Sequence, residues 1–190
     1  MRQQFDKGHL VPGATYSNTA DSLRSTFVYT NAVPQRPAFN RGQWSQFERR
    51  IRVYAQRCTQ GPRPGTLYLI TGNAFSHIRN NPQGINPVQV TQLGPVGNSP
   101  AIAVPNSMWT AGCCVHPNGI ESFAVIGNNL QQRNQMLTQQ IPVARLQDIL
   151  EDDVNNLNIG GPNVDLFPGN RACSNVNNNL VNLPPGRQGR

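Results

Sequence analysis

Asp6-Lys7-Gly8-His9, Thr30-Asn31-Ala32-Val33-Pro34-Gln35 and Asn40-Arg41-Gly42-Gln43-Trp44 stand in that order near the start of the chain. Their surroundings set the fold. Residues 5–12 (FDKGHLVP) predict a short strand ending at Pro12. Gly, Ser, Asn, Thr and Asp over 13–24 predict a loop. Residues 25–33 (STFVYTNAV), β-branched and aromatic, predict a second strand, which Pro34 and Pro37 then break. From Arg41 to Arg57 the apolar residues Trp44, Phe47, Ile51, Tyr54 and Ala55 fall on one helical stripe. Asn40 stands where an N-cap would. The reading is strand, loop, strand, turn, helix.

Beyond the Gly61–Gly65 turn, strands are expected over 66–71, 101–104, 107–115 and 122–127, with residues 72–98 irregular. The stretch from Cys114 to Ser122 reads as a hairpin turn. A helix is expected over 142–157, with Val143, Leu146, Ile149, Leu150 and Val154 inside and Asp148, Glu151, Asp152 and Asp153 outside. These elements make an α+β protein. At 190 residues the chain suits one domain, assigned to 1–172, with an Asn-, Pro- and Gly-rich flexible tail over 173–190.

Sixteen basic residues against nine acidic ones give a net charge of +7. Lys7 is the only lysine, and arginine grips phosphate through its planar fork. Nucleic acid, a polyanionic glycan or an acidic membrane surface would each suit this balance. No apolar run approaches the length of a membrane span, and neither GxxxxGK[ST] nor GxGxxG occurs. The four cysteines, Cys58, Cys113, Cys114 and Cys173, allow two disulfides or four buried thiols. A Cys113–Cys114 bond is disfavoured by ring strain, and in a strand the two side chains face opposite sides. A zinc site from Cys113, Cys114 and His116 with Cys58 or His77 fits no common ligand spacing.

DKGH at 6–9, TNAVPQ at 30–35, NRGQW at 40–44 and Glu48 together resemble the signature of the non-specific DNA/RNA endonucleases, the Serratia nuclease and endonuclease G type. Thr71-Gly72 and VPNSMW at 104–109 are similar to that family too, and the WTAGCC and SFAVIG segments look like an animal subgroup, endonuclease domain-containing 1-like proteins. The resemblance implies a ββα-metal (His-Me) finger packed on a mixed or antiparallel sheet core. It further implies N-terminal strands missing before residue 6.

The implied activity is metal-dependent hydrolysis of DNA and RNA with little sequence preference. His9 is the expected general base, since a neutral imidazole can take a proton near neutral pH. Asn40 is the expected ligand to Mg²⁺, or to Mn²⁺ in its place, and Glu48 acts through a metal-bound water. Lys7, where the family usually has Arg, and Asn31 and Gln35 would touch substrate. Asp6, Gly8 and Trp44 would support the finger. The partners are DNA and RNA through backbone phosphates, and Arg49, Arg50 and Arg52 are candidate contributors. The double-cysteine likeness implies a secreted protein in which Cys58 and Cys173 are tied to Cys113 and Cys114, pairing open. The alternative function is a nuclease-derived module that binds polyanions without cutting.

Overall fold

The computed structural model describes residues 5–78, 85–87, 90–95, 97, 100–132, 137–156 and 163–175. Of the tail expected over 173–190, residues 173–175 are held in a short helix with Cys173 buried and disulfide-bonded, and the rest lies outside the described residues. Strand β1 (Asp6–His9) pairs antiparallel with β2 (Ala32–Gln35), placing Asp6 opposite Gln35 and His9 opposite Ala32. The expected strand over 25–33 is therefore mostly absent. Phe27, Val28 and Tyr29 are exposed, and Tyr29–Asn31 is a 3₁₀ turn. β-branched and aromatic composition marks a surface that could pair, and among the described residues no strand pairs with it. Pro34 does not break the ladder but sits in it opposite Lys7. In a two-stranded sheet every strand has an outer edge, where a missing N–H costs no bond. The expected loop over 13–24 contains a 3₁₀ turn (Gly13–Thr15) and the start of a short helix, α1 (Ala20–Ser25). Thr19 and Ser22 close α1 with a reciprocal capping box.

The helical segment begins earlier than its stripe suggests. α2 (Pro37–Phe39) has Pro at its first turn and Arg36 at the N-cap. A π-helical turn, Asn40–Trp44, follows, with Gly42 at a non-helical φ −106°, ψ −112°, and α3 (Ser45–Gln60) continues from it. Asn40 thus lies inside the helical run with αR backbone angles and is not its N-cap. α3 buries Phe47, Ile51, Tyr54 and Cys58.

The remaining chain builds the core. β3 (Thr66–Ala74), β8 (Ser107–His116), β9 (Gly119–Asn128) and β10 (Thr138–Ile141) form one antiparallel sheet in the order β10-β9-β8-β3. The β8–β9 hairpin is tighter than expected, since only Pro117 and Asn118 connect the strands. The stretch expected to be irregular holds the end of β3 and three short strands: β4 (Ser76–Ile78), β5 (Ile85–Pro87) and β6 (Thr91–Leu93). β4 pairs with β5, and β6 with β7 (Ile102–Val104).

Both sheet faces are covered, which explains the near-continuous apolar runs of β8 and β9. One face packs Met108, Phe123 and Val125 against Phe39, Trp44, Phe47, Ile51 and Tyr54 of the helical segment. The other packs Trp109, Ala111, Ala124 and Ile126 against Val143, Leu146 and Ile149 of α4 (Val143–Asn156) and against Leu166 and Phe167. Asp153, expected outside, is buried on α4. Its Oδ2 accepts the Phe75 backbone N–H at 2.7 Å and its Oδ1 accepts the Ser76 hydroxyl, so the chain leaving β3 satisfies the carboxylate.

The adjacent cysteines serve opposite faces. Cys114 bonds Cys58 of α3, and Cys113 bonds Cys173 of a short helix, α5 (Ala172–Asn175). One side chain docks the ββα unit on this sheet. Buried Asn129, just past β9, accepts the Arg36 N–H at 2.7 Å and donates to the Pro34 and Pro105 carbonyls at 3.0 and 2.9 Å.

Candidate active site

β1 presents Lys7 and His9 on one face and Gly8 on the other, as strand alternation requires. The opposite face is crowded. The Gln35 side chain lies on Gly8 so closely that a Cβ there would sit 2.1 Å from Gln35 Cδ. Gln35 was expected to touch substrate, yet it is wholly buried and its Nε2 donates to the His9 carbonyl at 3.4 Å. It supports the strand from beneath. Asn31 is likewise occupied within the protein. Its Oδ1 accepts the Val11 N–H at 2.8 Å, and its Nδ2 donates to the Val11 and Thr26 carbonyls, each at 2.9 Å. This amide clamps both ends of the loop that passes over β1, and neither N–H remains for a substrate.

His9, Asn40 and Glu48 come together on one cavity of about 220 Å³. The Pro12–Ala14 loop, Ser45, Arg49 and Arg52 complete its lining. Asn40 reaches it from the π turn, and its amide orientation is set by Asp6. Asp6 Oδ2 accepts from Asn40 Nδ2 at 3.0 Å and from Arg41 Nε at 2.9 Å, while Oδ1 accepts from Arg41 Nη2. A carboxylate can only accept, so the NH₂ of Asn40 faces Asp6 and its Oδ1 is left as a donor oxygen for the cavity. Burial pushes the Asp6 carboxyl up, but the Arg41 and Asn40 hydrogen bonds and the Arg41 charge outweigh it and hold the carboxyl below its usual range.

Glu48 has the opposite electrostatics. Burial pushes its carboxyl from 4.5 up to about 7, and Arg52, Trp44 and Arg49 offset only part of the rise. The Trp44 N–H leans toward this carboxyl without reaching hydrogen-bond geometry. Trp44 itself is core, stacked on Phe39 with ring centroids 5.4 Å apart. A desolvated carboxyl beside an oriented amide oxygen, both hard oxygen donors, is a pair that a divalent cation would complete.

Arg49 and Arg52 face the cavity, whereas Arg50 lies on another side of α3, its guanidinium over the Phe47 ring. Lys7 is exposed, its Nζ 5.5 Å from the centroid of Tyr29. Phe27 meets the His9 imidazole edge-on at 4.9 Å. Sequence reasoning missed Arg41, Asn129 and Phe27. The first two act on groups far along the chain, and Phe27 carried no signal beyond its place in an apparent strand. The cysteines form no zinc centre. Cys58, Cys114 and His116 do cluster, but the sulfurs are bonded to each other, and His116 Nε2 lies 3.1 Å from Cys114 Sγ. His77 is elsewhere, on β4.

Comparison with known proteins points the same way. A family model described as DNA/RNA non-specific endonuclease matches residues 1–159. A curated protein called nuclease, from Nostoc sp. (strain PCC 7120 / SAG 25.82 / UTEX 2576), is 34% identical over 68 residues, 36% of this chain and 23% of that protein. A chain from the crystal structure of the EndoG/EndoGI complex aligns with a TM-score of 0.57 and 19% identity, over 81% of this chain and 58% of that one. At this identity the likeness concerns the fold, an α+β architecture with a ββα finger on an antiparallel sheet. The chain spans less than a quarter of the Nostoc protein and little more than half of the chain in the complex.

Proposed function

The chain belongs to the DNA/RNA non-specific endonuclease family, and from that premise we propose that it hydrolyses phosphodiester bonds of DNA and RNA at the His9 cavity. The observation that carries the reading is the meeting of His9, Asn40 and Glu48, from two separate stretches of chain, on one cavity edged by Arg49 and Arg52. His9 takes the proton of the attacking water. Gln35 and Phe27 hold it from two sides, through its backbone carbonyl and its ring. Arg49, Arg52 and Lys7 draw the phosphate in by charge, without reading bases. Asn40 Oδ1 would ligate Mg²⁺, or Mn²⁺ in its place, and Glu48 would act on it through water. Such an ion supplies a sink for the charge that builds on the phosphate oxygens. Asp6 and Arg41 keep the Asn40 amide turned the right way.

Two disulfides suit an oxidising compartment, and secretion is the location proposed. Among the described residues no helix is long and apolar enough to cross a membrane. Plasmid DNA incubated with the protein, with and without EDTA, tests the activity. Cutting that EDTA stops and that His9→Ala removes is expected. A band shift with no cutting under any divalent ion would replace the hydrolase with a polyanion-binding module.

A further inference from the structure

The loop over β1 holds two large rings in solvent. Phe27 is 68% exposed and Tyr29 is 83% exposed. The Asn31 clamp to Val11 and Thr26 fixes the backbone on either side, and Thr26 is buried next to Phe27. The display of these rings is therefore built into the fold. Each ring also stands beside a residue of the reactive face. Phe27 meets His9 at 4.9 Å, and Tyr29 lies 5.5 Å from the Lys7 ammonium. Lys7 and His9 are two residues apart on one strand, so the rings run alongside the residues that would handle a phosphate.

A ligand that matches this row alternates anionic groups with flat apolar faces. Single-stranded nucleic acid does so, because its bases expose their faces. In a duplex the same faces are stacked inside and unavailable. We propose that Phe27 and Tyr29 form a base-stacking platform that gives the protein a preference for unpaired nucleotides over duplex. The proposal rests on the reading that a phosphodiester occupies the His9 cavity. It adds a structural preference that phosphate contacts cannot supply, and it stays tolerant of sequence, since every base has a π face.

Binding in EDTA tests the platform without any cutting. Three fluorescein-labelled probes with equal phosphate counts are titrated by anisotropy: a single-stranded oligodeoxynucleotide, an abasic strand and a hairpin duplex. Wild-type protein should bind the single strand about 5- to 150-fold more tightly than the abasic strand for each base that stacks. Phe27→Ala with Tyr29→Ala should bring the two affinities close together. Tyr29→Ala alone should remove part of the difference, and its ring is exposed, so an unchanged circular dichroism spectrum is expected for it. Wild-type protein that binds all three probes alike would overturn the platform, as would a folded double variant that keeps the single-strand preference. So would rings that only seal a dimer, seen as a change in sedimentation with no change in probe ratios. Plasmid cutting is scored separately. A protein that prefers the single strand but never cuts refutes the hydrolase reading alone, and one that cuts without the preference refutes the platform alone.

Discussion

Replacing Glu48 with Gln is expected to stabilise the metal-free protein in alkaline buffer and to leave its stability nearly unchanged in acid. Glu48 is half-buried on the cavity wall, and burial raises its carboxyl from 4.5 to about 7 in the fold. Below pH 4.5 the group is neutral in both the folded and unfolded chain and costs nothing. Between 4.5 and 7 the unfolded chain releases the proton while the folded one keeps it, so stability falls as pH rises. Above 7 the loss is complete. At about 1.4 kcal/mol per pH unit the interval corresponds to about 3 kcal/mol at most. Partial contact with solvent screens the effect, so about 1–3 kcal/mol is expected. Gln keeps the shape and removes the charge. Urea unfolding in EDTA at pH 4 and pH 8.5 measures it. The variant should match wild type at pH 4 and exceed it at pH 8.5. Added Mg²⁺ should then stabilise wild type more than the variant, because an ion that binds only the fold raises its stability. An equal difference between the two proteins at both pH values, or a less stable variant at pH 8.5, would refute the reasoning.

His9→Ala should lower the cutting rate about 10²- to 10⁴-fold with little change in the Mg²⁺ concentration for half-maximal rate, whereas Asn40→Ala should raise that concentration; rate against Mg²⁺ for both variants separates them. Binding should weaken with salt, and Arg49→Gln with Arg52→Gln should flatten the log–log slope by up to about 2, with Arg50→Gln leaving it unmoved; salt titration of duplex binding reads this. Cys58→Ser with Cys114→Ser opens a link spanning 56 residues, and chain entropy puts the loss near 4 kcal/mol, measurable as a lower urea midpoint.

The parts of this protein legible in sequence are those carried by local periodicity or by the order of a motif. The stripe Trp44, Phe47, Ile51, Tyr54 becomes the buried side of the helical run because a 3.6-residue period is a local property. The opposed cysteines follow from strand alternation in the same way. The strand expected over 25–33 failed because composition says what could pair, while pairing needs an edge brought by distant chain. Asp153 failed likewise, since its partners Phe75 and Ser76 lie across the fold and turn an apparent surface acid into a buried acceptor.

The site shows the same division among its amides. Asn31, Gln35, Asn40 and Asn129 are one chemical type, with one acceptor and two donors, and nothing local separates them. Contacts do. Asn31 is spent on its own loop, Gln35 on the underside of β1, and Asn129 on joining chain segments 93 residues apart. Asn40 alone of the four has its NH₂ held by a carboxylate and lines the cavity, whereas the Gln35 oxygen, also unpaired, is buried beneath β1; on the proposed reading the Asn40 oxygen would be the one offered to a cation. The NRGQW motif marks the position, but the selection is made by Asp6, 34 residues earlier. On the proposed reading Asp6 would act as a positioning residue rather than only a support for the finger. Its bond to Arg41 keeps it ionised, which keeps it an acceptor, which keeps the Asn40 oxygen turned away from it.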